Sequence, residues 1–237
     1  MPAPALLRLL QLVSPALPIG GYNFSQGLEY AIEAAWVRDE ATALMWISGL
    51  MRTSVGTLDV PVLYRLHAAW SGDDGTRARG DAGARHPTAI DVDRWSRFLI
   101  ASRETSELRA EDRHLGRSLA KVLADAGVPG ARAWTTRLDA TFATLFSLGC
   151  AHWGVGANPC AWGYLWTWAE NQVLASVKAV PLGQSAGQRM LDALIAQIPV
   201  VARSAVGLED EQIGSAAPTH LIASAAHETQ YTRLFRS

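Results

Sequence analysis

Apolar residues recur along most of this chain at spacings of three and four, the signature of one buried helix face. Leu6, Leu7, Leu9, Leu10, Leu12 and Val13 predict a short buried helix. Pro15 and Pro18 end it, because proline lacks the donor and clashes with the preceding turn. Residues 19–23 (Ile-Gly-Gly-Tyr-Asn) read as a loop, and Ser25 as the opening of a second helix running through Leu28 and Ile32 to about Trp36. Asp39 reads as the next cap, with Leu44, Ile47, Met51 and Val55 on one face. Asp59, Val60 and Pro61 fit a further start, continued by Leu63, Leu66 and Trp70.

The pattern stops at residues 71–90, which hold almost no large apolar residue and four glycines, so a mobile surface loop is expected there. Helical spacing resumes from Asp93 to Ala126, and Gly127-Val128-Pro129-Gly130 supplies the stop. Leu138, Phe142, Leu145, Phe146 and Gly149 predict one helix, and a second runs from about Pro159 to Val180, ended by Pro181. After Gly187, residues Met190, Leu191, Leu194, Ile195, Ile198 and Val201 form another face, with a kink expected at Pro199. Glu209 to Ile213 reads as a turn, and a last helix from His220 to about Tyr231. There is no clear run of alternating strands and no internal repeat. The expectation is an all-α fold of roughly eight to ten helices in a single domain over residues 1–237.

Composition changes this picture in a few places. The chain has 237 residues, 49% hydrophobic and only 18% charged, so much of its surface is neutral or apolar. That fits either burial against a partner or a plain alanine-rich helical surface. The net charge of −1, from 21 basic and 22 acidic residues, argues against a nucleic-acid binder. Cys150 and Cys160 are too few for a disulfide framework or a cysteine-rich zinc site and read as small core residues. The N-terminal segment lacks the basic-then-apolar order of a signal peptide. Ala140 to Ala169 is uncharged, but Gly154, Gly156 and Pro159 break it midway. It therefore reads as two buried helices instead of a membrane span, and a cytoplasmic location is expected.

The candidate chemistry is sparse. Neither Gly20-Gly21 nor Gly154-Val155-Gly156 has the lysine or strand context of a phosphate loop. The six histidines are scattered, and His220 and His227 stand two turns apart, which leaves either a two-histidine metal site or ordinary buried side chains. Arg103, Glu104, Glu107, Arg109, Glu111, Asp112 and Arg113 form a dense cluster. It reads as a salt-bridged helix surface or a partner-docking face, with Arg103 and Glu107 sharing one side and Arg109 and Arg113 another. Trp153, Trp162, Trp166 and Trp168 cluster as core or oligomer contacts. At the C-terminal end, Tyr231, Leu234 and Phe235 fall at i, i+3, i+4, flanked by Arg233 and Arg236. So short a helix is marginal alone. It either packs back on its own domain or orders in a partner's groove.

Four segments carry a resemblance. Residues 9–29 (LLQLVSPALPIGGYNFSQGLE), 101–113 (ASRETSELRAEDR), 170–189 (ENQVLASVKAVPLGQSAGQR) and the tail HETQYTRLFRS at 227–237 together resemble the urease accessory protein family UreF, in order and over nearly the whole chain. Asn23 stands where that pattern leads one to expect a small or aromatic residue, and the 71–90 loop is longer than usual. The resemblance implies an all-helical, non-catalytic chaperone without a cofactor. It would dimerise, bind UreD (UreH), recruit the GTPase UreG and assemble on the urease apoprotein, so that nickel reaches the urease active site. It implies that Tyr231, Arg233, Leu234, Phe235 and Arg236 dock on UreD. Lys178, Gln184 and Arg189 would lie on a dimer or UreG-facing surface, with Gln26 and Glu29 as candidates for the same face. A regulator of UreG hydrolysis, supplying Arg109 or Arg189 to the phosphoryl group, is the alternative. An independent helical enzyme with a site near His152 and Cys160 is a third reading.

Overall fold

The computed structural model describes residues 1–72 and 89–237, and the loop expected at 71–90 lies almost wholly outside them. The fold is all-α. The helices are α1 (Ala3–Leu12), α2 (Leu28–Glu33), α3 (Glu40–Leu50), α4 (Val60–Ser71), α5 (Ala89–Ala101), α6 (Ser106–Asp125), α7 (Phe142–His152), α8 (Ala157–Ala179), α9 (Gln184–Ile195), α10 (Ile198–Val206) and α11 (Pro218–His227). Among the described residues no strand occurs.

Asp39 caps α3 as its spacing predicts: its carboxylate accepts from Thr42 N at 2.8 Å, and the Thr42 hydroxyl accepts from Asp39 N. Asp59, by contrast, caps nothing. A π-helical stretch, Met51–Asp59, joins α3 and α4 into one rod. Its wider turn lets carbonyls serve other partners: Thr53 O accepts from Ala216 N (2.8 Å) and Thr57 O from Gly214 N (3.0 Å). The chain leading into α11 is tied down there.

α4 lies between α5, α7 and α8, α6 packs on α7, and α8 runs beside α9, α10 and α2. Phe142, Phe146 and Tyr164 stack with centroids 5.5–5.8 Å apart in the buried cluster. α6 meets the entry to α7 at Gly116, where a Cβ would stand 2.5 Å from the Ala140 carbonyl oxygen. Cys150 and Cys160 are fully buried, and burial first, then the neighbouring Cys150 thiol, push the Cys160 thiol well up.

Several expectations are corrected. α1 buries only Ala5 and Leu12; Leu6, Leu7 (65% exposed) and Leu10 face outward. α2 starts at Leu28, not Ser25, because Gly27 takes φ +78° against Ser224, and it ends at Glu33, short of Trp36. Leu138 is 69% exposed, outside α7, which Thr141 caps. α9 begins at Gln184, upstream of Gly187. Pro199 does not kink a helix; it sits in the first turn of α10, after a break at Ala196 and Gln197. Trp162 is exposed and Trp153, Trp166 and Trp168 only half-buried, so this cluster edges the core instead of filling it. α11 stops at His227, so Tyr231, Leu234 and Phe235 share no helix.

Candidate functional site

The last residues fold back on the start of the bundle. Glu29, buried on α2, accepts from the backbone of Leu234 (2.6 Å) and Phe235 (3.0 Å) and faces His227 Nε2 at 3.2 Å. Glu107 on α6 faces His227 Nδ1 at 2.7 Å and accepts from Arg233. Ionised carboxylates only accept, so this fully buried imidazole is satisfied when both its nitrogens donate. Arg233 also donates to the carbonyls of Gln230 (2.9 Å) and Glu228 (2.7 Å).

Beyond Phe235, Arg236 N donates to the Asn23 carbonyl (2.8 Å) and Ser237 O accepts from Ser25 N (2.7 Å) and from the Ser25 hydroxyl. The Ser237 hydroxyl donates to Glu111 (2.7 Å). Gln26 bridges the same carboxylate (2.8 Å) to Trp168 Nε1 (2.8 Å). These bonds hold Gln26 in the left-handed region (φ +53°), a conformation that costs a residue with a side chain roughly 1–2 kcal/mol. Phe235 is buried, with Lys178 Nζ 4.7 Å from its ring centroid. Glu228 closes the seat from the α11 side. It accepts from the Ser106 amide (2.7 Å), the Ser106 hydroxyl and the Glu107 amide at the start of α6. The Ser106 hydroxyl, with those amides, holds its pKa below the usual carboxylate value.

The sequence-predicted residues thus converge in part. Gln26, Glu29 and Lys178 meet Arg233, Leu234, Phe235 and Arg236 in one place. Gln184 and Arg189 lie elsewhere: Arg189 forks onto Glu40 of α3, and Gln184 is exposed at the start of α9. Tyr231 is completely exposed (103%) and Leu234 is 59% exposed, so both side chains point away from the seat, which pins the Leu234 amide.

Beneath the seat lies a second polar group. Arg103 does not share a helix face with Glu107. It precedes α6 and turns inward to fork onto Asp59, with Asp112 accepting at 2.9 Å. Tyr164 donates to Asp59 (3.0 Å), and Phe142 N at the start of α7 donates to Asp112 (2.8 Å). Burial opposes the charge on Arg103, but Asp59 and Asp112 outweigh it and hold the guanidinium firmly protonated. Burial raises Asp112 despite Arg103. Burial also pushes Glu111 up to about 7, against the hydrogen bonds from Ser237 and Gln26 and with a further push from Asp112. A cavity of about 90 Å³ separates the two groups, bordered by Gln26, Asp59, Arg103, Glu111, Tyr164 and His220. Burial lowers the pKa of His220, and its buried Nε2 has no partner. Among the described residues, no three His, Cys, Asp or Glu side chains converge as a metal site. The carboxylates, guanidiniums and His227 are spent on one another and on backbone amides, which makes the arrangement a clasp for a peptide segment.

The model of the UreF family matches residues 37–195 of this sequence. Urease accessory protein UreF of Alkalilimnicola ehrlichii is 45% identical over 236 residues, covering all of this chain and 97% of that protein. This chain belongs to the UreF family. The UreF proteins of Hahella chejuensis (41% identical, all of both chains) and Azoarcus sp. (46% identical, 98% of this chain and 95% of the relative) are similar over the same span. In this UreF-family chain, the pairing of Ser25 with Ser237 and the inward role of Arg103 escape sequence reasoning. Ser25 was legible only as a helix-opening serine, and its hydroxyl does accept from Glu29 N (3.3 Å) in the first turn of α2. Of the two arginines weighed for phosphoryl transfer, Arg189 is forked by Glu40 and Arg109 donates to the Arg103 carbonyl (2.6 Å). No helix among the described residues is long and apolar enough to cross a membrane.

Proposed function

We propose that this chain is a non-catalytic scaffold of urease maturation. As a homodimer in the cytoplasm it bridges UreD (UreH) and the GTPase UreG on the urease apoprotein, and nickel passes through that assembly as cargo. Family membership supports the accessory role. The observation that supports the tail as the UreD anchor is the pinned backbone beneath exposed Leu234 and Arg236, with Tyr231 fully exposed just before them. A fixed segment presenting an aromatic ring, a leucine and a guanidinium loses little conformational freedom on docking, and aromatic and arginine side chains are the usual interface anchors.

The test is co-purification with UreD and UreG, with mass by light scattering, of the full chain, a chain ending at Ala226, and Tyr231→Ala with Leu234→Ala. The double variant spares every seat bond. It is expected to keep the full chain's melting temperature while losing UreD. Retention of UreD by the chain ending at Ala226 refutes the anchor. Unchanged UreG turnover on adding the full chain removes the regulator reading.

A further inference from the structure

The charge cluster on α6 sorts by helical period into two faces. Glu107 and Glu111 are four residues apart and point to the tail seat. Arg109 and Arg113 are also four apart but offset by two positions, about 200° around the helix, and face the opposite way. There they border a shallow depression of about 520 Å³ between α5, α6 and the loop before α7, with Arg97 on its far side. Its floor is apolar: Ile100, Ala101 and the exposed Leu138.

The three guanidiniums are oriented but little spent. Arg113 donates one N–H to the Leu138 carbonyl (2.7 Å), and Arg109 donates one to the Arg103 carbonyl, with Glu228 acting on it from the side of α11. Each has five such donors. Arg97 reaches Asp93 at 3.8 Å and Asp139 at 3.4 Å. Among the described residues Asp139 is the single acid lining the depression, and both its oxygens already accept from Arg137. In a chain of net charge −1, this pocket therefore carries an excess of cations around an apolar floor.

We propose that this depression is a docking surface for an acidic protein segment that carries a leucine-like side chain among its carboxylates. Guanidiniums fixed by backbone carbonyls present forks that match carboxylates bidentately, and the floor takes the apolar side chain. A nucleic acid fits less well, since three arginines edged by Asp93 and Asp139 neutralise little of a phosphate backbone. The depression lies outside the tail seat, with Arg109 alone facing Glu228 at its edge, and goes beyond the scaffold reading.

The test is fluorescence anisotropy of the full chain with a labelled hexapeptide of glutamates around paired leucines. Controls are the same peptide with glutamines, and a single-stranded RNA oligomer. Saturable binding is expected that falls about tenfold or more, at least 1.4 kcal/mol, for the glutamine peptide and for Arg97→Gln with Arg113→Gln. Arg132→Gln, an exposed arginine outside the depression, is expected to bind like the parent. No saturable binding, equal binding of the glutamine peptide, binding unaffected by the double variant, or tighter binding of RNA overturns the proposal. Melting curves confirm that the double variant folds. Co-purification of that variant with UreD reads the tail separately, so a failed depression and a failed scaffold give different results.

Discussion

Replacing Glu111 by glutamine isolates one buried carboxyl and its pH dependence. The pKa of Glu111 rises from an ordinary 4.5 to about 7 in the folded chain. The folded state therefore holds this proton more tightly than the unfolded state. The resulting stability is present in full below pH 4.5 and is lost progressively as pH rises to about 7. At 1.36 kcal/mol per pH unit, that span amounts to about 3 kcal/mol. An amide stays neutral throughout, can accept from Gln26 and can donate to the Ser237 hydroxyl, so Glu111→Gln keeps the seat bonds. Urea titrations of both chains from pH 5 to pH 8.5 measure the effect. The variant is expected to be close to the parent at pH 5 and more stable by up to about 3 kcal/mol above pH 7. Glu170 and His220 titrate in both chains and largely cancel in the difference. Parallel stability curves, with no growth of the difference between pH 5 and pH 7, refute the reasoning.

Arg103→Met leaves Asp59 and Asp112 buried without their cation and is expected to cost about 3–5 kcal/mol in urea unfolding at pH 7; a cost under about 1 kcal/mol means the carboxylates find other partners. Gly116→Ala forces a methyl against the Ala140 carbonyl and is expected to lower stability by about 1–3 kcal/mol, read as a fall in Tm; an unchanged Tm means α6 and α7 slide apart freely.

Helices were legible where local chemistry decides them. Asp39 with Thr42, and Gly127 with Gly130, mark their termini in a few consecutive residues. The π-helical stretch was not legible, because Met51, Val55 and Leu58 fit a 3.6-residue period about as well as a wider one. The tail misled for the opposite reason. Tyr231, Leu234 and Phe235 have helical spacing, yet the amides of Leu234 and Phe235 find acceptors on Glu29, far away in sequence and already held by α2. A fixed carboxylate outcompetes a short helix whose nucleation is costly. The same distance in sequence hid Arg103: neighbouring acids suggested a surface ladder, while Asp59, 44 positions away, drew it inside. The resemblance grouped Gln26 and Glu29 with Lys178, Gln184 and Arg189; in the fold Lys178 reaches the Phe235 ring held by Glu29, while Gln184 and Arg189 lie elsewhere, and nothing in the resemblance hinted that the tail itself would be the neighbour of Glu29.

The bond between Ser25 and Ser237 spans 212 positions, which bears on when it forms. In an unfolded chain, closing so long a loop is entropically unfavourable, and the two ends meet late. Once α11 is docked through His227, Phe235 lies only eight positions beyond that anchor, and closure becomes a local event. The clasp is then the last part to shut and the first to open. Its release needs the seven hydrogen bonds of residues 233–237 to the bundle and one phenyl ring to let go, while the core around Phe146 stays intact. Local openings of this size exchange far faster than global unfolding. A partner competing for these residues meets a door on a short hinge and never has to melt the bundle.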